Sequence, residues 1–162
     1  MHPKGEMMFY KIQRIMIAVA ISIVGLSSAA FADDPVYTGV FSDKAVKGYD
    51  TVSYFQRDGV PVKGTKEHQT EWRGAKWLFS SAANLALFTA DPEQYAPQYG
   101  GYCAWALGHG SLAKGDPKVY HLHDGKLYLN YDHGIQKKWL PRKDKLIIKA
   151  DTEYPARVDL PQ

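Results

Sequence analysis

Few residues in this 162-residue sequence are suited to chemistry: one cysteine, Cys103, and, beyond the first thirty-two residues, the histidines His68, His109, His121, His123 and His133. A thiolate is a soft donor and imidazole a borderline one, so Cys103 with His109, His121 and His123 is the set that could hold copper or zinc, with water or a bound ligand in the open positions. His121-x-His123 has the useful spacing, because residues two apart on a strand share a face and can present two imidazoles to one ion. Two imidazoles alone make a weak site. Without a further ligand the pair reads more simply as the solvated face of a hairpin. His109 stands between two glycines, six residues after Cys103, in a loop able to bend back toward the thiol. His68 and His133 read as surface residues.

Assembled catalytic motifs are missing from the sequence. There is no nucleophile elbow, no glycine-rich phosphate cradle followed by Lys-Ser or Lys-Thr, and no His-Glu-x-x-His. Cys103 paired with a distant histidine would be a thiol nucleophile, but it needs a positively charged or helix-N-terminal setting that no local motif guarantees. An unpaired thiol in an oxidising compartment asks for burial or use, and Tyr102, Ala104 and Trp105 are natural core neighbours. Gly100-Gly101 reads as a tight bend that lets the backbone pack closely on the core.

The compartment follows from the first thirty-two residues, which have the three regions of a secretory signal peptide. Lys11 and Arg14 precede an apolar run from Ile15 to Leu26, and Ala30-Phe31-Ala32 gives a small-x-small exit before Asp33. The apolar run is short of the roughly 20 residues a spanning helix needs. The sequence therefore predicts a periplasmic or secreted protein with no membrane anchor after cleavage. Removing the leader takes away Lys4, Lys11 and Arg14 against only Glu6, so the net charge of +3 falls to +1. A near-neutral domain lacks the basic field of a nucleic-acid binder, so no such partner is expected. All four methionines leave with the leader, which excludes a methionine-rich copper site.

The elements that must position these residues are short. Residues 33–44 read as an irregular lead-in and 156–162 as a tail. Val52–Phe55 reads as a β-type stretch closed by a turn at Arg57-Asp58-Gly59. His68–Arg73 and Lys76–Phe79 about Gly74-Ala75 read as a hairpin. A helix follows, capped by Ser80 or Ser81, burying Leu85 and Phe88 with Ala82 and Leu87, and ended by Asp91-Pro92. Pro92–Tyr95 adds a helical turn. Val119–His123, Asp124-Gly125 and Lys126–Asn130 form a second hairpin with a strong turn signal, followed by a helix over Asp132–Trp139. Lys145–Ala150 reads as a last helix or strand. The fold class is α+β: one small domain of two hairpin-plus-helix units around an aromatic core. The units are joined by Tyr99–Gly115, and their turn-to-helix spacing is expected to differ by one residue.

The segment Trp77-Leu78-Phe79-Ser80-Ser81-Ala82-Ala83-Asn84-Leu85-Ala86-Leu87-Phe88, followed by Asp91-Pro92-Glu93-Gln94-Tyr95, resembles the centre of a YHS domain. Gly48–Phe55 is similar to that family's leading segment, and Tyr99–Ala104 with Asp124–Asn130 resembles its secreted bacterial branch, so the resemblance covers 45–155. In metal-binding members, the resemblance implies, cysteines stand in the leading segment and at two positions flanking the capped helix. Here Ser53, Ser80 and Asn84 occupy those places, and they are poor ligands for copper or zinc. The leading expectation is a non-catalytic periplasmic binding module for a transition-metal ion or small ligand near Cys103. A structural or protein-interaction module without metal, and a thiol-dependent enzyme using Cys103, are the alternatives.

Overall fold

The computed structural model describes residues 32–56 and 59–160. The expected leader, apart from Ala32, and Arg57 and Asp58 of the expected turn lie outside them. Six strands form three two-stranded antiparallel sheets: β1 (Tyr49–Asp50) with β2 (Val62–Lys63), β3 (Thr65–Trp72) with β4 (Ala75–Phe79), and β5 (Asp116–His123) with β6 (Lys126–Asn130). The helices are α1 (Ala82–Ala90), α2 (Pro92–Tyr95), α3 (Ala104–Leu107), α4 (His133–Trp139) and α5 (Lys143–Arg157). The architecture is mixed α+β with buried aromatic clusters, and it contains the two hairpin-plus-helix units.

Both long hairpins close through two residues with positive φ, Arg73 and Gly74 in one and Asp124 and Gly125 in the other. That is the two-residue turn whose twist matches the flanking strands. The first turn is thus Arg73-Gly74, one residue earlier than Gly74-Ala75. The expected difference in spacing is absent too, because Ser81 rather than Ser80 is the cap, and α1 and α4 each begin eight residues after their turn glycine. Ser81 caps α1 by accepting from Asn84 N at 3.2 Å, and Asp132 caps α4 by accepting from Ile135 N at 2.7 Å.

The two units repeat far more closely than the sequence shows. Trp72 pairs with Ala75 and Thr65 with Phe79; 51 residues on, His123 pairs with Lys126 and Asp116 with Asn130, and each ladder slips at the same place. Upstream the correspondence continues at an offset of 53. Val46, Lys47 and Gly48 have positive φ, as do Tyr99, Gly100 and Gly101. Gly64 N donates to Gly48 O and Gly115 N to Gly101 O, each at 3.0 Å. Trp77 stacks on Phe88 at 4.9 Å, and their counterparts Tyr128 and Trp139 lie 5.5 Å apart.

Several expectations are corrected. Thr51–Phe55 is a 3-10 turn rather than a β-type stretch, because the Asp50 carboxylate accepts from Val52 N at 3.0 Å and caps it. Along α1, Phe88 is buried and Leu85 partly so, but Ala82 and Leu87 are exposed and Asn84 takes the inward position. The last element is a helix reaching Arg157. After it Val158 is buried, and Asp159 N donates to Asp33 O at 3.0 Å, so the chain end pairs with the lead-in. Gly100 does allow close packing: a side chain there would strike the Pro35 carbonyl. One core gathers Trp77, Phe79, Phe88 and Tyr54 with Leu127 and Leu129 from β6; the other gathers Tyr99, Tyr128, Trp139 and Tyr154.

Candidate functional site

The positions flanking α1 converge on a residue the sequence reading passed over. Asp50 is fully buried, and its Oδ2 accepts from Ser80 N at 2.8 Å, Ser80 Oγ at 2.6 Å and Asn84 Nδ2 at 2.7 Å. Its Oδ1 holds Val52 N. Ser53 stands aside: its hydroxyl donates to Asp50 O at 2.6 Å and accepts from Val62 N at 3.2 Å. Ser80 and Asn84 therefore meet as their positions imply, but their third partner is the Asp50 side chain. These hard oxygen and amide groups are already engaged with one another, so they do not fit a soft metal ion. The available signal was Asp50-x-Val52, the spacing of an aspartate bonding the backbone two residues on.

Cys103 is buried, and its side-chain partner is Asn130, with Sγ 3.9 Å from Oδ1, rather than an imidazole. Burial pushes the thiol up. The backbone N–H groups of Ala106, Tyr131 and Trp105 act in the opposite direction, and the Asp132 carboxylate adds to the rise. Asn130 is itself fully buried, and its Nδ2 has no partner.

The histidines lie elsewhere. His109 Nδ1 is 2.8 Å from Trp105 O, so this nitrogen carries the proton, and the ring packs on Trp105 beside an open hollow lined by Lys149, Thr152 and Glu153. His121 and His123 do share a strand face, with rings stacked 6.3 Å apart. His123 Nε2 lies 3.2 Å from Asp144 Oδ1 and 3.4 Å from Asp124 Oδ2. His121 is pushed down by burial, then by His123 and Lys143. Cys103, His109 and the His121/His123 pair are thus held by three different sets of neighbours. Among the described residues no group of three or more His, Cys, Asp and Glu is arranged to hold a metal ion.

The lead-in folds over the domain and encloses a cleft of about 490 Å³ lined by Asp34, Asp43, Asp159, Thr38, Ser42 and Arg73. Arg73 lies over the Trp72 ring at 4.4 Å and pairs with Glu93 at 2.6 Å, so its guanidinium is turned toward the neighbouring hollow that Trp72 and Glu93 line. Asp43 is held below the usual carboxylate range, most strongly by its hydrogen bond to Lys76 at 2.6 Å. Beside the cleft, Val40 and Phe41 project into solvent, Phe41 completely.

No curated protein and no solved structure matches the chain. One family model does, spanning β3, β4, α1 and α2: residues 56–99 match the YHS domain.

Proposed function

We propose that the chain, exported by its leader, works outside the cytoplasm as a non-catalytic binding module of the secreted YHS type, taking a small polar ligand in the cleft at Arg73. The observation that carries this reading is the cleft itself, a concavity of about 490 Å³ whose lining includes Asp34, Asp43, Asp159 and Arg73. Cys103 supports binding over thiol catalysis, because its thiol is buried, pushed up, and bonded to an amide instead of a base. The ligand place moves accordingly from the surroundings of Cys103 to the surface. A second reading, a protein-interaction module, is favoured by the exposed Val40-Phe41 tip beside the cleft.

Native mass spectrometry with elemental analysis of protein purified from the periplasm tests the proposal. The expected result is a metal-free adduct, released on denaturation and lost in Asp159→Asn. Stoichiometric copper or zinc that disappears in Cys103→Ser would return the site to the thiol. An adduct-free protein would favour the interaction module.

A further inference from the structure

Superposing the two units by register places Cys103 where the first unit has Asp50. Each follows three residues of positive φ by two positions, after Gly48 and Gly101 respectively. The residue before each pairs antiparallel with the matching partner, Tyr49 with Lys63 and Tyr102 with Lys114. In the first unit this position is a cradle for an anion: Val52 N and Ser80 N both donate to the Asp50 carboxylate. Their counterparts, at offsets of 53 and 51, are Trp105 N and Tyr131 N, and both of these N–H groups favour the anionic form of Cys103. Cys103 thus occupies, by register, the position of the cradled carboxylate, with backbone N–H groups at the two matching positions and Asn130 Oδ1 as the partner of its sulfur.

A second, independent observation concerns Asn130. It occupies the position of Phe79, both fully buried, so an amide stands where the first unit has an aromatic ring. Its carboxamide lies against Sγ at 3.9 Å while its Nδ2 finds no acceptor. A buried donor without a partner costs free energy, and this one belongs to the amide whose oxygen faces the sulfur. In the first unit a side-chain amide, Asn84 Nδ2, completes the cradle by donating to Asp50 Oδ2 at 2.7 Å. A half-turn of the Asn130 amide would present its Nδ2 to an acceptor on the sulfur.

The group that would satisfy all three donors is an oxidised sulfur. A cysteine sulfinate, Cβ–SO2⁻, matches the aspartate side chain, Cβ–CO2⁻, in number of heavy atoms, charge and acceptor oxygens. We propose that Cys103 is a modification site, oxidised by a peroxide to the sulfinate, whose oxygens fill in the second unit the cradle that the Asp50 carboxylate fills in the first. The sulfur attacks a peroxide oxygen, an S–O bond forms as the O–O bond breaks, and the thiol proton leaves with the departing oxygen as water or alcohol. A second peroxide oxidises the resulting sulfenic acid by two further electrons, releasing another water or alcohol and, on ionisation, a proton. The resting thiol is neutral and buried, so the reaction is slow. The two residues whose N–H groups stand at the matching positions reach the surface, Tyr131 being exposed and Trp105 partly so. The adverse Asp132 carboxylate is turned toward Ile135 N, which it caps.

The test is hydrogen peroxide added to the folded mature protein, followed by intact and peptide mass spectrometry and thermal melting. The expected result is two oxygens added at Cys103 and a melting temperature above that of the reduced form. Asn130→Ala should remove that rise. Cys103→Asp should melt above Cys103→Asn, because the cradle selects an anion. Oxygen addition only in denaturant, arrest at a disulfide-linked dimer, a lowered melting point on oxidation, or Cys103→Asp melting below Cys103→Asn would each overturn the proposal.

Discussion

Asp50 is an acidic side chain with no exposed surface and, among the described residues, no basic partner; its burial is tolerated because both its oxygens are filled by N–H and O–H donors. Asp50→Ala would leave Ser80 N, the Ser80 hydroxyl and the Asn84 amide without their acceptor. The expected loss is about 3 kcal/mol or more, measured by urea unfolding. Asp50→Asn should cost less, since one carboxamide oxygen still accepts. The same scale holds a pH prediction at His121. Its folded-state value lies below the ordinary 6.5, first through burial and then through His123 and Lys143. The unfolded chain therefore takes up this proton more readily than the folded one, so stability is full above about pH 6.5 and falls as the pH drops below it. His121→Thr, which installs the residue of the matching position Thr70, should flatten that slope in melts recorded between about pH 7 and 5.

At the scale of elements, α1 has one cap and one anchor, and they are different serines. Ser81 caps the helix through Asn84 N, so Ser81→Ala is expected to cost about 0.5–2 kcal/mol in denaturant unfolding. Ser80 instead donates to Asp50, so its loss should add to that of Ser81 without sharing its cause. Gly115 sets a tighter limit, for a Cβ there would stand 2.5 Å from Gly101 O and 2.7 Å from Leu129 Cβ. Gly115→Ala should destabilise by about 1–3 kcal/mol or more through overpacking, visible as a lowered melting temperature. The hairpins, caps and helix ends were legible in the sequence because each is written in adjacent residues: Asp124-Gly125, Ser81 before α1, Asp91-Pro92 after it. The polar cradle was not. Asp50 and Ser80 are thirty positions apart, and nothing local marks an aspartate whose donors come from a distant strand end. The 3-10 turn at Thr51–Phe55 was misread for a local reason, since Val52, Tyr54 and Phe55 have strand propensity but the cap from Asp50, two residues before Val52, decides their conformation. Of the candidate ligands, the strand spacing of His121 and His123 was readable, whereas the neighbours of Cys103 depend on Asn130, twenty-seven positions away.

At the scale of the whole molecule, the two units share a core. Leu127 and Leu129 of the second hairpin are buried among Trp77, Phe79 and Phe88 of the first. Leu127→Ala should cost about 2–5 kcal/mol and lower the melting of both units together, giving one cooperative transition by tryptophan fluorescence and circular dichroism alike. Two separated transitions would show that the shared leucines do not couple them. The close repetition of register, turns and left-handed backbone has a further consequence, in evolutionary terms. A gene encoding one such unit would make a protein that hides its leucines only by meeting a second copy, and its stability would rise and fall with its abundance. Joining two copies in one chain removes that dependence: the partner is always present, at an effective concentration set by the short connection instead of by expression. One copy could then keep its carboxylate while the other exchanged it for sulfur, a divergence that a pair of identical subunits cannot make.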